Sequence, residues 1–491
     1  MGRKSPNTSP PKKLAVDHHH HQTRKRIASV AADGDAYNRK VREIDSSAIE
    51  NGVTNGTVPL STSPIESKEM HDNSAGHKDP HCDPDNPRII QFSEISAAAF
   101  NIKGGVERTP CTRSNQLSKM LGMELYFKKE FLQVTGSFKE RGARYALLKL
   151  TKEQRDLGVI AASAGNHALA LSYHGQQLGI PVTVVMPVIA PLMKISMCRQ
   201  YGANVMVQGA NIGVAKEIAL GIAFEKGYKY INGYDHPDIL AGQGTLGLEV
   251  LEQVSNIDAI IVPVGGGGLI AGVALAVKTL NPSVTVIGVE GESCPSFQTS
   301  LNAGQLINTP CTSTLADGLA VPTVGANAMA TARGLVDKVV SVCEESIALS
   351  ILRLIEIEKA VVEGAGAVGL AALLSGKLPE LAGKRVVCLL CGGNIDTTVL
   401  GRTIERGLAT DGRLIHFEVV VSDRPGGIAE LTALLSQSGA SIKDIFHERA
   451  WLRTDVFSVR VKVVCETRDR EHAVELENVL KSHYNDVNFN L

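Results

Sequence analysis

The chain has 491 residues, of which 44% are hydrophobic and 21% are charged, so it is long enough for more than one domain and most of it can bury a core. Its formal net charge of -1 lacks the basic surplus of a nucleic-acid-binding protein, and no uncharged apolar stretch is long enough to span a bilayer. We therefore expect a cytoplasmic protein that acts on small molecules, with neither nucleic acid nor membrane as a partner. The nine cysteines show no disulfide-framework spacing, so we expect them to be reduced thiols.

The first 86 residues differ in composition from the rest. They are rich in Ser, Pro, Asn, Asp, Lys and His and contain few bulky apolar residues, so burial cannot offset the entropy of ordering them. We predict a disordered extension over 1–86. Its four consecutive histidines (18–21) and its basic triplet (24–26) are interpreted as solvated runs rather than as a metal site and a targeting signal.

Residues 87–405 alternate between two patterns. Short β-branched runs such as GVIAAS, PVTVVMP, AIIVPVGGGG and RVVCLLCGG are separated by longer helical stretches such as GLIAGVALAVKTLN. Repetition of strand, turn and helix predicts an α/β fold in which parallel sheets are covered by helices on both faces. Ligands in such folds bind at the carboxyl ends of the strands.

The chain after residue 405 changes character again. A helix end and a short linker are predicted over 406–413. The patterns in 414–491 then follow the order strand, helix, strand, strand, helix, strand. That order predicts a small ferredoxin-like α+β domain.

Two motifs in the α/β part carry chemical information. In GSFKERGA, Lys139 opens an amphipathic helix; taken alone, such a lysine is more often an exposed charge than a reactive amine. In VPVGGGGLIAG, four glycines separate a strand from a helix, so bare amides at a helix N-terminus form a cup for an anion. The spacing fits neither the dinucleotide fingerprint nor a P-loop, although a tight turn alone would also use glycine.

Two further turns occupy equivalent positions after strands. SAGNHA (163–168) presents an asparagine side chain and helix-start amides, and CGGN (391–394) presents a thiol. A lysine that can form a Schiff base, together with a phosphate cup and polar groups on neighbouring strands, fits the cofactor pyridoxal 5′-phosphate.

Six segments in one order resemble the fold-type II pyridoxal-phosphate enzymes, in particular their threonine/serine dehydratase and serine racemase branch. The segments are GSFKERGA, SAGNHA, HPDILAGQGT, VGGGGL, TLADGLAV and CGGN. The resemblance implies the tryptophan synthase β-like fold with two parallel-sheet lobes. It also implies that Lys139 holds the cofactor, that Phe138 flanks its ring and that Asn166 binds its 3′-oxygen. The amides implied to hold the phosphate are those of Gly265, Gly266, Gly267, Gly268 and Leu269. The residues implied to line the substrate carboxylate are Ser163, Ala164, Gly165 and His167.

The resemblance places Cys391 against the pyridine nitrogen. A neutral thiol there leaves the nitrogen largely unprotonated and weakens the electron sink, which favours prompt expulsion of a β-hydroxyl over reprotonation at Cα. Simple packing at a strand end is the alternative interpretation of Cys391. In the implied reaction, the Lys139 amine removes the α-proton of L-threonine or L-serine, and 2-oxobutanoate or pyruvate is released with ammonia.

Two positions separate elimination from racemisation within this branch. Racemases carry a serine on the far side of the cofactor as a second base, and this chain has Ala164 there. Racemases also carry a metal loop in which an aspartate follows a glutamate by six residues, whereas here Ser296 follows Glu290, so no metal is expected. An L-threonine/L-serine ammonia-lyase is therefore predicted; a serine racemase and a catalytically inactive amino-acid sensor are the alternatives.

The C-terminal unit, 414–491, resembles an ACT regulatory domain. Its first turn carries Asp423, Pro425, Gly426 and Gly427, whose amides and the helix start could take the carboxylate of an amino-acid effector. A role in assembly alone is the alternative. ACT units commonly pair their sheets, so a homo-oligomer, dimer or tetramer, is expected. The sole tryptophan, Trp451, lies in this unit and would report ligand binding by its fluorescence.

Overall fold

The computed structural model describes residues 78–450, 452 and 455–490. Most of the predicted extension, with its histidine run and basic triplet, therefore lies outside the described residues, and so does Trp451. The strands are β1 (Cys111–Arg113), β2 (Glu124–Lys129), β3 (Val159–Ala162), β4 (Val182–Met186), β5 (Asn204–Val207), β6 (Lys229–Tyr230), β7 (Ala259–Pro263), β8 (Thr285–Gly291), β9 (Lys338–Val342), β10 (Arg385–Leu390), β11 (Leu414–Ser422), β12 (Ser441–Glu448), β13 (Ser458–Glu466) and β14 (Val487–Asn490).

Helices separate most of these strands. They are α1 (Phe92–Ile102), α2 (Asn115–Leu121), α3 (Lys139–Leu148), α4 (Lys152–Leu157), α5 (Asn166–Leu178), α6 (Leu192–Gln200), α7 (Ile212–Lys226), α8 (Pro237–Gln253), α9 (Gly268–Leu280), α10 (Ser296–Ala303), α11 (Ala326–Ala332), α12 (Glu344–Arg353), α13 (Gly364–Leu374), α14 (Thr397–Thr410), α15 (Gly427–Gln437) and α16 (Arg470–His483). Among the residues described, no helix has the length and apolar character that crossing a bilayer requires.

The first part of the described chain builds two sheets. The larger has the order β1-β2-β10-β7-β8-β9, in which only β1 runs antiparallel to its neighbour, and the smaller has the order β5-β4-β3-β6 and is wholly parallel. Strands β4, β7 and nearly all of β10 are buried, since helices cover both faces of each sheet. The predicted α/β architecture with two parallel-sheet lobes is confirmed.

The C-terminal unit follows α14, which continues to Thr410 through most of the predicted linker. Its elements run in the order strand, helix, strand, strand, helix, strand, and its antiparallel sheet has the order β12-β13-β11-β14. Alternate residues of β11 and β13 are buried, so one face of this sheet packs against the helices. The element order is the one that the sequence predicted.

The end of the predicted extension that the structure describes is packed against the rest. The side chain of Asp79 is buried, and the amide of Asn327, in α11, donates to the carbonyl oxygen of His81 at 2.7 Å. The segment around residue 80 is thus attached to α11 by a partly buried hydrogen bond from the Asn327 side chain.

One expectation about the cysteines is wrong. Cys294 and Cys311 form a disulfide, with their Cα atoms 4.6 Å apart. The amide of Thr312 donates to the carbonyl oxygen of Ser293 at 3.0 Å, so two loops that are separate in sequence lie side by side and bring the thiols within bonding reach. Spacing along the chain does not carry that information.

Candidate active site

Lys139 begins α3 at the carboxyl edge of the larger sheet. The loop before it turns at Gly136, which has a φ of 76°, and is attached to the end of β10: the amide of Phe138 donates to the carbonyl oxygen of Cys391 at 3.0 Å. The strand end, the turn and the helix start therefore place the lysine where ligands of parallel sheets bind.

The Lys139 amine is held in a confined environment. Its Nζ lies 2.6 Å from the carbonyl oxygen of Gly233 and 5.2 Å from the centre of the Phe138 ring. Burial lowers the pKa of Lys139 to about 8, and the nearby Glu363 carboxylate opposes this shift. A lysine with such a pKa is partly neutral near physiological pH, so its nitrogen can act as a nucleophile or a base.

The four glycines form a buried turn between β7 and α9. Gly265 to Gly268 and Leu269 are all buried, and no carbonyl group among the described residues accepts a hydrogen bond from their amides. Buried amides are rarely left without an acceptor, so this group of donors at a helix N-terminus fits a bound phosphate. The residues present therefore fit the phosphate of the predicted cofactor.

Contacts on the other side of the turn explain why it consists of glycine. A Cβ atom on Gly266 would lie 2.4 Å from the ring of Tyr234, and one on Gly268 would lie 2.3 Å from the Tyr234 carbonyl oxygen. Gly267 also has a φ of 90°, which side-chain-bearing residues rarely adopt. The backbone and ring of Tyr234 thus pack so closely against the turn that only glycine fits there.

Asn166 begins α5, directly after the turn that follows β3. Its amide nitrogen donates to the Glu363 carboxylate at 2.7 Å, and its amide oxygen accepts from Asn394 at 2.9 Å. One N–H of the Asn166 amide has no acceptor among the described residues. The side chain therefore has a donor available for the cofactor oxygen that the sequence assigned to it.

Cys391 lies directly after β10 and is 2% exposed. Its thiol donates to the Ala365 carbonyl oxygen at 3.7 Å, and burial, with the nearby Glu363 carboxylate, raises its pKa well above the usual value. The thiol is therefore neutral, as a partner for an unprotonated pyridine nitrogen must be.

The turn of residues 163–165 lies at the start of α5, as predicted. The Ser163 hydroxyl accepts from the amide of Gly165 at 3.3 Å, and Ala164 packs against the core of the smaller lobe. The His167 ring faces away from this turn: its Nε2 lies 3.1 Å from the Ile231 carbonyl oxygen. Burial lowers the pKa of His167 to about 3, so the ring is neutral and contributes no charge to a substrate carboxylate.

Four residues that the sequence reasoning did not assign belong to the same site. Gly233 and Tyr234 contact the lysine and the glycine turn, and Glu363 and Asn394 contact Asn166. Asn394 stood in the quoted CGGN segment, which was a usable signal. Glu363 follows an apolar run and precedes a Gly-Ala helix, and nothing local marks it as part of a site.

Glu290, the glutamate of the metal-loop pattern, caps a helix. Both oxygens of the buried Glu290 carboxylate accept from the start of α10, at 2.8 Å from the amide of Phe297 and 2.9 Å from that of Gln298. The Ser296 hydroxyl donates to the Val321 carbonyl oxygen. In the part of the chain that the structure describes, no cluster of three or more His, Cys, Asp or Glu side chains is arranged to hold a metal ion.

Comparison with known families agrees with this site. The family model described as "Pyridoxal-phosphate dependent enzyme" matches residues 102–392, more than half of the chain. The chain belongs to this family. The cofactor of this pyridoxal-phosphate enzyme is thus the predicted one, and the predicted enzyme class, a lyase that uses it, is confirmed by the curated relatives.

This pyridoxal-phosphate enzyme is similar in sequence or structure to three known proteins. It is 43% identical over 392 residues to an L-threonine ammonia-lyase of Thermotoga maritima, and the matched region covers 80% of this chain and 97% of the relative. Its structure resembles the processed threonine deaminase isoform 2 of Solanum lycopersicum, with a TM-score of 0.61 and 34% identity over 65% of this chain and 95% of that one. It also resembles maize serine racemase, with a TM-score of 0.62 and 36% identity over 66% and 99% of the two chains.

The predicted regulatory turn of this pyridoxal-phosphate enzyme lies between β11 and α15. Gly426 has a φ of 107°, and a Cβ atom on Gly427 would lie 2.0 Å from the Ser422 carbonyl oxygen, so both positions require glycine. The Asp423 carboxylate pairs with Arg449 at 2.7 and 2.8 Å, which lowers the pKa of Asp423. Pro425 lies in the same turn.

Proposed function

We propose that the chain is an L-threonine/L-serine ammonia-lyase, giving 2-oxobutanoate or pyruvate and ammonia, and that its C-terminal unit is an ACT domain through which an amino acid regulates it. The observation that carries the catalytic proposal is the confined Lys139 amine with its lowered pKa, which contacts Gly233, the residue before the Tyr234 that packs against the glycine turn. The names of the curated relatives support the same reaction.

The bound cofactor would supply the electron sink that makes the α-proton of an amino acid acidic. Lys139 would hold it, and once an amino acid has taken the place of the lysine, the freed amine would remove that proton. The amides of Gly265 to Leu269 would bind its phosphate, while Phe138, Asn166 and the neutral thiol of Cys391 would fix its ring. The turn at 163–165 and the backbone amide of His167 would bind the substrate carboxylate, since they lie at the start of a helix.

The overall reaction is balanced without a further reactant. The substrate loses its α-proton to Lys139 and its β-hydroxyl; in the net reaction that proton and the hydroxyl leave as one water molecule, so the amine returns to its starting state. The enamine that is released then takes up one water molecule and gives a 2-oxo acid and ammonia. No oxidant or reductant is consumed.

A serine racemase is the second candidate, because two of the similar solved structures are serine racemases. Ala164 argues against it, since its methyl group cannot carry a proton to the far face of Cα. A catalytically inactive sensor is the third, and the intact lysine, asparagine and glycine turn argue against that.

Two measurements test the catalytic proposal. Borohydride reduction of the native protein should attach the cofactor permanently to the peptide that contains Lys139. L-threonine and L-serine should yield 2-oxo acid in excess of any D-serine. A label on another side chain would contradict the site; D-serine in excess of pyruvate would favour the racemase, and absence of the bound cofactor's absorption band would favour the sensor.

The regulatory proposal rests on the βαββαβ order and on the glycine turn at 426–427. We expect the enzyme to form a homo-oligomer, a dimer or a tetramer, through these units, and the cytoplasmic location stays a prediction. Release of 2-oxo acid should change when branched-chain amino acids are added. No response to them, or to any other amino acid, would leave assembly as the role of the unit.

A further inference from the structure

A chain of hydrogen bonds runs from the loop before Lys139 to Glu363. It begins at the carbonyl oxygen of Thr135, four residues before Lys139, which accepts from Asn394 Nδ2 at 2.7 Å. Asn394 Nδ2 also donates to Asn166 Oδ1 at 2.9 Å, and Asn166 Nδ2 donates to Glu363 Oε1 at 2.7 Å. The chain thus connects the lysine loop, the end of β10, α5 and the residue before α13.

The direction of every bond in this chain is determined by its first member. A backbone carbonyl can only accept, so Asn394 must present its NH₂ group to Thr135 and to Asn166. Asn166 must then present its oxygen to Asn394 and its NH₂ group to Glu363. The amide orientations are therefore fixed by chemistry, and the chain needs an acceptor at its end, which the Glu363 carboxylate provides.

The surroundings of Glu363 make its charge strongly felt. Its side chain is 4% exposed, and no lysine or arginine among the described residues forms an ion pair with it. The charged or titratable groups that face it are Lys139 on α3, the Cys391 thiol after β10, Lys194 on α6 and Asp317 on the loop before α11. Lys194 and Asp317 lie 3.9 Å apart, so the positive charge of Lys194 is partly compensated by another carboxylate.

The Glu363 carboxylate packs closely against the backbone of Gly392. A Cβ atom on Gly392 would lie 2.2 Å from Glu363 Oε1 and 3.2 Å from Asn166 Nδ2. The Glu363 amide also donates to the Gly392 carbonyl oxygen at 3.0 Å. The side chains of Glu363 and Asn166 therefore occupy the space next to Gly392 that a side chain at that position would fill.

We infer that Glu363 is a positioning residue of the cofactor site: it fixes the Asn166 amide with one N–H free to face the cofactor, and its negative charge keeps the proton on the nitrogen of Lys139. The first effect follows from the direction of the hydrogen-bond chain. The second effect follows from the backbone: Phe138, next to Lys139, donates to the Cys391 carbonyl oxygen, and Glu363 donates to that of the adjacent Gly392, each at 3.0 Å, so the buried carboxylate and the amine lie in the same part of the site. A buried anion near an amine stabilises the charged form of the amine. The nearby Glu363 raises the pKa of Lys139 against the effect of burial. Because burial raises the pKa of Glu363 itself to about 7, its charge acts on the amine above that pH.

The variant Glu363→Gln separates the two effects. Glutamine keeps an oxygen that can accept from Asn166 but removes the charge, so the cofactor should still bind. The absorption band of the bound cofactor should then change with pH at a midpoint about one pH unit lower than in the unaltered protein, a tenfold change in the acid dissociation constant. Glu363→Asp keeps the charge and should restore most of the midpoint.

Glu290→Gln is the matched control. Glu290 is equally buried, burial also raises its pKa to about 7, but its carboxylate accepts only from the start of α10. This variant loses a buried charge of the same kind and should leave the midpoint of the cofactor band where it is. An unmoved midpoint in Glu363→Gln, or the same displacement in both variants, would overturn the inference.

A second readout needs neither cofactor nor turnover. In the cofactor-free protein, modification of Lys139 by an amine-reactive reagent can be followed by mass spectrometry as a function of pH. The midpoint of this modification should move to lower pH in Glu363→Gln and not in Glu290→Gln. The inference rests on Lys139 and Asn166 serving the cofactor, but not on which amino acid is the substrate. A protein that binds cofactor without making 2-oxo acid would contradict the proposed function while leaving this test intact. An unshifted Lys139 profile in Glu363→Gln would contradict the charge effect alone.

Discussion

The carbonyl oxygen of Gly233 accepts a hydrogen bond from the amine of Lys139 at 2.6 Å. Gly233 lies on the loop between β6 of the smaller sheet and α8, whereas Lys139 is attached to the end of β10 in the larger sheet. The next residue on that loop, Tyr234, packs behind the glycine turn. One loop therefore sets the position of the amine and the shape of the phosphate cup together.

Replacement of Lys139 by alanine should reduce turnover of L-threonine by at least about 10³-fold, because the same amine attaches the cofactor and removes the α-proton. The fold should persist, since the amine forms no ion pair with any residue in the described part of the chain. Release of 2-oxo acid measures the first expectation and circular dichroism the second. Turnover at the unaltered rate would show that another group is the base.

The lowered pKa of Lys139 predicts an unusual pH dependence in the cofactor-free protein. The neutral amine is the nucleophile, so a lower pKa populates it at a lower pH. Modification of Lys139 by a small amine-reactive reagent should therefore be half-maximal near pH 8, as the pKa of about 8 requires. Exposed lysines, with a usual pKa near 10.4, should react half-maximally about two pH units higher. Equal profiles for Lys139 and the exposed lysines would show that burial does not depress its pKa.

The glycine turn should be intolerant of a single methyl group. In Gly268→Ala the new Cβ would lie 2.3 Å from the Tyr234 carbonyl oxygen. The turn must therefore move, and its amides would no longer be placed to bind the phosphate. Affinity for pyridoxal phosphate, measured by titrating the cofactor-free protein, should fall by about tenfold or more, the loss expected for one hydrogen bond to a charged group. Gly401→Ala is the matched control, because Gly401 lies within α14 with nothing within 4 Å of its Cβ position.

A second base can be offered to the site by Ala164→Ser. The serine hydroxyl would stand where racemases of this branch carry theirs, so the ratio of D-serine to pyruvate formed from L-serine should rise. Chiral chromatography of the products measures the ratio. An unchanged ratio would show that the residue at 164 does not decide between elimination and racemisation.

A buried ion-pair network supports the lysine helix from below. Arg141, two residues after Lys139 and fully buried, pairs with Glu130 at 2.7 Å and with Glu249 at 2.7 Å. Arg141→Met would leave the two carboxylates with Lys128 as their one remaining cation among the described residues, 2.6 Å from Glu249 and 3.9 Å from Glu130. Removing one partner from a buried ion-pair network in this way costs about 3–5 kcal/mol of unfolding free energy. Urea unfolding measures the loss.

Arg385→Met provides the comparison for that prediction. The ion pair of Arg385 with Glu124 lies near the surface, where water and salt screen it, so its removal should have a much smaller effect. Equal losses in the two variants would contradict the role given to the buried network.

The sequence was sufficient for the elements, and it brought most motifs of the candidate site together, although the roles of their residues stay predictions. Parallel strands must end in turns at one edge of a sheet, so short motifs after strands could be assigned to one place without knowledge of their distances. The disulfide between Cys294 and Cys311 was missed for the opposite reason: it depends on two loops lying side by side, and no repeating pattern encodes that contact.

The sequence by itself determined the order of strands and helices, the glycine turn and the lysine that begins α3, because each depends on residues close together in the chain. Only the tertiary structure decided which groups face that lysine and Asn166. Gly233 lies 94 positions from Lys139, and Glu363 lies 197 positions from Asn166. Hydrogen-bond direction and burial act between atoms that the fold brings into contact, so the partners that set the charge and orientation of this site appear only once the chain is folded.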